Sequence, residues 1–249
     1  MLILKTSEQI EKIRKSCSML ASILKTIQDN IKPGVSTKFL NDMTEDFIFS
    51  MGAVPAFKNY KGFPYSICAS VDDQVVHGFS NDKCLKEGSI LSIDCGVILD
   101  GWFSDSALTQ GVGLVSKKAQ RLMMATEASL YAGIKAAQPF CRIGDISYAV
   151  QSTAEKYGYG VVREFVGHGV GKDLHEEPQV PNFGDFNEGL ILRPGTVIAI
   201  EPMLTEGSYE VMVANNGWEV STRDKKLAAH FEHTIVITNS GPEILTNRY

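Results

Sequence analysis

The sequence has no CxxC pair, no low-complexity tract, no excess of positive charge and no apolar run near the roughly 20 residues that a membrane-spanning helix needs. Each absence removes a class. Five cysteines (Cys17, Cys68, Cys84, Cys95 and Cys141) leave an odd thiol, which argues against a disulfide framework or a thiolate zinc site and fits a reducing compartment. Only Leu2, Ile3 and Leu4 are apolar before Lys5, too few for a signal-peptide core, so a cytoplasmic location and no membrane partner are expected. A formal charge of -5 and a pI near 5.6 give no general attraction to phosphate backbones. Local basic groups such as Lys12, Arg14 and Lys15 do not change that, and no specific nucleic-acid partner is expected. What remains is an ordinary globular composition, 44% hydrophobic and 21% charged, over 249 residues.

The chain repeats itself. The segment from Leu85 to Asp94 (LKEGSILSID) resembles that from Leu192 to Glu201 (LRPGTVIAIE), which begins 107 residues later. Each reads as a glycine turn leading into a strand of alternating apolar residues that ends on a carboxylate. Helical sequence precedes both copies. Ile10, Ile13, Cys17, Leu20, Leu24 and Ile27 recur at helical spacing, as do Leu122, Ala125, Ala128 and Ala132. A second helix opens at Ser36-Thr37-Lys38 in one copy and at Gly144-Asp145-Ile146 in the other, stopping near Gly52 and Gly158. The halves, about 1–110 and 111–249, are expected to be two helix-plus-antiparallel-sheet units in one α+β domain spanning 1–249, with their acids at the junction. Coincidence between two amphipathic strands is the alternative.

Asp100-Gly101 favours a two-residue hairpin turn. Leu99 then faces Trp102 and, counting back, Asp94 faces Ala107, which puts Asp94 and Asp105 on one sheet face unless a bulge shifts the parity. Two carboxylates this close need protons or cations between them. Gly167-His168-Gly169, Glu201 after Val197–Ile200, and Glu232 before His233 complete a set of four carboxylates and one imidazole. Such oxygen-rich ligation suits two divalent ions such as Mn, Fe or Co better than a thiolate-type zinc site, held roughly 3.5–4 Å apart by bridging carboxylates. Any one of these acids alone would read as a solvated strand residue.

These motifs, with Val75-Val76-His77-Gly78, Ser92-Ile93-Asp94, Phe103-Ser104-Asp105, His175-Glu176-Glu177-Pro178, Ile200-Glu201-Pro202-Met203 and Phe231-Glu232-His233-Thr234, resemble those of the pita-bread metallopeptidases of family M24, and most closely the short bacterial form of type I methionine aminopeptidases. The resemblance covers nearly the whole chain. It implies a pita-bread fold, two divalent ions per chain drawn from Co, Mn, Fe or Zn, and removal of the N-terminal methionine from nascent polypeptides with a small second residue. By similarity Asp94 and His168 ligate different ions, Glu201 joins His168, and Asp105 and Glu232 bridge. Glu201 would shuttle a proton, His175 would stabilise the oxyanion and His77 would contact the scissile amide. Without the resemblance, His77 reads as a turn cap and His175 as half of a surface pair with Glu176.

The same likeness puts Tyr60, Phe63, Cys68 and Trp218 in an apolar pocket suited to a thioether. Leu174 stands where a phenylalanine is common, and Phe57 where a cysteine is frequent. The length leaves no room for the N-terminal domain of aminopeptidase P and prolidase, and no extension precedes the helix near Ser7, so the short form without accessory modules is expected; the expected state is a monomer. The family setting is the cytosol, where the resemblance leaves a transient ribosome contact open; Lys117, Lys118 and Arg121 read first as a solvated helix face. Two alternatives stay open: an Xaa-Pro aminopeptidase or prolidase-like peptidase, and a non-catalytic pita-bread binding module, which typically loses ligands.

Overall fold

The computed structural model describes residues 2–248; residues 1 and 249, the outer ends of the two expected halves, lie outside the described part. Among the described residues four long helices form, two along the apolar periodicities and two where Ser36-Thr37-Lys38 and Gly144-Asp145-Ile146 open them, and each start has a local cause. In α1 (Ser7–Asn30), Thr6 and Gln9 form a capping box, with Gln9 N–H donating to Thr6 Oγ1 and Thr6 N–H donating to Gln9 Oε1. Ser36 caps α2 (Thr37–Ser50) by accepting from Phe39 N–H, and Ser116 caps α3 (Lys117–Ala136) through Ala119 N–H. Asp145 accepts from Arg142 N–H at the start of α4 (Ile143–Tyr157). Gly158 ends α4 at φ 83°, a left-handed position that costs glycine little. The α3 stripe is rotated from the expected one: Leu122 and Ala125 are buried, but Leu130 and Ile134 complete the face while Ala128 and Ala132 are only half-buried. Small alanines at both edges of the stripe made the period ambiguous.

The sheets are antiparallel throughout. Ile90–Leu99 is central to a four-stranded sheet with Val54–Pro55, Ile67–Val71 and Trp102–Gly111. A five-stranded sheet runs in the order Gly241–Ile244, His233–Thr238, Val197–Ile200, Gly167–Gly169, Glu176–Val180. Asp100 (φ 51°) and Gly101 (φ 73°) make the two-residue turn with both φ positive, and Leu99 pairs with Trp102 and Asp94 with Ala107, as the turn predicts. One expectation fails: Asp94 does not end its strand, which runs on to Leu99. The Asp100-Gly101 turn, and not the acid, sets the end of that strand. Glu201, by contrast, directly follows its strand, and Pro202 behind it has no N–H to continue the ladder.

One hydrophobic cluster reaches both sheets. It joins Leu20, Leu24 and Ile27 of α1 to Leu91, Ile93 and Leu108, and continues through Leu130, Ile134, Ile146 and Val150 of α3 and α4 to Ile198, Ile200 and Ile235. Each such side chain removed from water contributes about 1.5–3 kcal/mol before entropy is counted. Where the edge of Trp102–Gly111 meets residues 230–234, hydroxyls replace a regular ladder. Thr234 Oγ1 donates to Asp105 O (2.7 Å), Ser106 Oγ to Glu232 O (2.8 Å) and Thr109 Oγ1 to His230 O (2.8 Å), while Glu232 N–H donates to Ala107 O (2.9 Å). This seam fixes Asp105 and Glu232 beside each other.

Candidate metal centre

Asp94, Asp105, His168, Glu201 and Glu232 line one cavity of about 270 Å³. The two acid-bearing strand pairs supply the carboxylates, and the strand Gly167–Gly169 beside Val197–Ile200 supplies the imidazole. Gly167 and Gly169 permit that approach, because a Cβ at either would run into the carbonyl oxygen of Ala199 or Glu177. Donor atoms of Asp105, His168 and Glu232 lie within 4.8 Å of one another. His168 Nε2 is 3.7 Å from Asp105 Oδ2 and 3.6 Å from Glu201 Oε1.

Electrostatics call for cations at this point. Burial raises the Asp94 carboxyl to about 7, and burial together with its neighbours raises Asp105, Glu201 and Glu232 well above the ordinary carboxylate range. Asp94 Oδ1, Asp105 Oδ1 and Glu232 Oε1 are buried with no hydrogen-bond partner. Burial also holds His168 down to about 4, so the ring is neutral. His168 Nδ1 lies 3.0 Å from Gly169 O, to which its N–H donates, leaving the Nε2 lone pair facing the acids. Unpaired carboxylate oxygens around a free imidazole nitrogen fit divalent metal ions.

His77 and His175 flank this cluster. His77 follows the strand Gln74–Val76, which pairs with Val220–Thr222 and so sets His77 beside Trp218, with ring centroids 5.9 Å apart. It sits at φ 59°, an uncommon left-handed position for a residue with a side chain, and burial lowers its pKa. His175 Nδ1 lies 2.8 Å from Tyr60 Oη, and its ring packs 4.2 Å from that of His168. The surface pair between His175 and Glu176 does not form. Glu176 instead takes the buried Lys5 ammonium on one oxygen and accepts Lys172 N–H (2.7 Å) and Asp173 N–H (3.3 Å) on the other, tying down the turn that carries His175.

Tyr60, Phe63, Cys68, Leu174 and Trp218 wall the same cavity, and Phe57 lies among them. Phe63 meets Trp218 edge-to-face at 5.2 Å. All the residues expected from the sequence as ligands, catalytic groups or pocket walls thus line one cavity. Phe165, Val166 and Lys61 also line it and were not foreseen, since no motif or period marks these loop positions. His230 was missed too. It lies behind Glu201, its Nε2 3.8 Å from Glu201 Oε2, and burial pulls its pKa to about 3. Its position two residues before Glu232 on extended chain was the available signal.

Known proteins resemble this chain in sequence and in fold. Residues 11–239 match the model of metallopeptidase family M24. The chain is 47% identical to a methionine aminopeptidase of Clostridium perfringens, covering 99% of both chains, and 47% identical to methionine aminopeptidase 1 of Bacillus subtilis over the same shares. The crystal structure of methionine aminopeptidase from Rickettsia prowazekii superposes with a TM-score of 0.98 at 44% identity, over 99% of this chain and 100% of that one. A prolidase from Pyrococcus horikoshii shares the fold at a TM-score of 0.81 and 24% identity, with 64% of its chain covered. The fold is pita-bread, and the chain belongs to metallopeptidase family M24.

Proposed function

We propose that this protein is a methionine aminopeptidase that removes the N-terminal methionine from newly made cytoplasmic chains, favouring a small second residue. The observation that carries the reading is the convergence of four carboxylates and a lone-pair imidazole on the floor of a cavity whose walls are apolar and aromatic. Names of relatives with 43–47% identity support the same activity, whereas likeness to prolidases is distant. As a member of its family the protein works with divalent metal ions. Two ions per chain would be held by these five residues, Asp94 and His168 serving different ions, Glu201 joining His168, and Asp105 and Glu232 reaching both. Co, Mn, Fe and Zn all suit such donors. Residues 1–249 act as one catalytic unit built of the two halves, and no ribosome surface or second subunit enters the reading.

Bound there, divalent ions supply the Lewis acidity that makes water a nucleophile near neutral pH. The chain does the rest. Glu201, half-buried at the cavity wall, takes the proton of the attacking water and returns it to the departing amine. Tyr60 Oη lies 2.8 Å from His175 Nδ1; in the tautomer where the phenol donates, the neutral ring keeps its proton on Nε2 and offers it to the developing oxyanion. His77, held by its left-handed backbone, contacts the scissile amide. Phe63, Trp218, Tyr60, Leu174 and the Cys68 thiol surround the methionine side chain, whose sulfur packs well on aromatic edges.

The test is a comparison of substrates. Manganese-loaded protein is expected to release methionine from Met-Ala-Ser and to leave Ala-Pro-Ser intact. Preference for Ala-Pro-Ser would replace this reading with proline-directed cleavage.

A further inference from the structure

His230 is a buried imidazole with an unpaired nitrogen. It is 1% exposed, and its Nε2 has no hydrogen-bond partner although Glu201 Oε2 lies 3.8 Å away. A buried polar nitrogen left without a partner is destabilising. The backbone around it is held firmly: Thr109 Oγ1 accepts from His230 N–H (2.9 Å) and donates to His230 O (2.8 Å), and His230 pairs with Met203. The backbone that carries the ring is therefore fixed, and Glu201 Oε2 is the carboxylate oxygen nearest Nε2.

Strand register gives an independent reason to look here. In the first hairpin Asp105 lies opposite Gly96, two residues past Asp94. In the second strand pair His230 lies opposite Met203, two residues past Glu201. By position, then, His230 stands where Asp105 stands in the other half. Yet it does not line the cavity as Asp105 does, and it sits behind Glu201. The two oxygens of Glu201 face different rings, Oε1 toward His168 and Oε2 toward His230.

We infer that His230 is a positioning residue for Glu201: its Nε2–H donates to Glu201 Oε2 and fixes the carboxylate plane so that Oε1 is presented to the metal centre beside His168. The polar group facing Nε2 is a carboxylate, which as an anion only accepts, so the ring carries its proton there. The inference rests on the assignment of Glu201 as a metal ligand made above. Outer partners that orient a ligand typically change metal affinity by about 10–100-fold when removed.

The experiment measures manganese affinity and stoichiometry by calorimetry for the full chain and for His230→Ala, His230→Gln and Glu201→Gln, with the visible absorption of the Co(II)-loaded forms as a second readout. His230→Ala is expected to weaken binding by about 10–100-fold without lowering the number of sites. His230→Gln, which keeps an N–H donor at the same reach, is expected to restore binding to within about threefold of the parent and to leave the Co(II) band positions unchanged. Unchanged affinity in His230→Ala, with loss in Glu201→Gln, overturns the role of His230 alone. Failure of His230→Gln to restore binding, with shifted Co(II) bands, overturns it in favour of direct ligation. Unchanged binding in Glu201→Gln overturns the ligand assignment beneath it.

Discussion

The two strand pairs that carry the acids deliver them by different geometries. In Ile90–Leu99 with Trp102–Gly111 the ladder is unbroken, and Asp94 and Asp105 share a face because Asp105 lies two residues from Asp94's partner, Ala107. In the second pair, His233 faces Ile200 and Met203 faces His230 across an interruption, which sets Glu201 across from Glu232. Pro202 breaks the ladder, and Phe231 N–H reaches back to Pro202 O at 3.3 Å. The repeat therefore equates Asp94 with Glu201 but does not equate Asp105 with Glu232, which takes the place of Ala107. A duplicated frame can give one acid by symmetry while the other arises at a new position.

If both geometries serve one metal centre, disabling either should be equally severe. Asp105→Asn and Glu232→Gln are each expected to lower kcat/KM by well over the roughly 100-fold that outer partners of metal ligands carry, with loss of bound metal by elemental analysis. A large loss in one and near-normal turnover in the other would mean that only one strand pair builds the site. His77→Ala, outside both pairs, is expected to reduce kcat by about 10²–10³-fold with metal content and melting temperature unchanged. Normal kcat would remove His77 from the chemistry.

Stability against pH separates the acids from the histidines. Asp94 is raised from an ordinary 3.8 to about 7, with Asp105, Glu201 and Glu232 also raised. Such groups stabilise the fold while protonated and lose that contribution as pH climbs through their folded values. His168, near 4, and His230 and His233, near 3, act oppositely: they stabilise while neutral and lose the contribution as pH falls below 6.5. The two sets oppose each other between about 4 and 6.5, and above 6.5 the carboxyls act alone. Metal-free protein is expected to melt at lower temperature as pH rises from about 6.5 to 8, and manganese is expected to flatten that slope. A flat profile without metal would show that the acids repel one another less than their burial implies.

The smallest effect concerns the seam between the pairs. Thr234→Val removes the hydroxyl that donates to Asp105 O and is expected to cost about 1–3 kcal/mol in denaturant unfolding, because a buried carbonyl loses its partner. No change would mean that packing alone joins the two strand pairs.

Much of this was legible in the sequence for physical reasons. Asp100-Gly101 dictates turn type, turn type dictates register, and register puts Asp94 and Asp105 on one face. Ser36-Thr37-Lys38 and Gly144-Asp145-Ile146 marked the starts of two helices, where Ser36 and Asp145 indeed cap. The hydroxyl seam was not legible, since Ser106, Thr109 and Thr234 look like ordinary strand residues until two distant strands meet. Nor was the Lys5–Glu176 pair, whose members are 171 positions apart. His230 was overlooked because its neighbour Glu232 explained the motif without it.

Anaerobic titration of metal-free protein with manganese tests the metal centre most directly. Two ions per chain are expected, with Asp105→Asn and Glu232→Gln both losing them. A protein that binds no divalent ion would contradict the convergence of both strand pairs on one metal site.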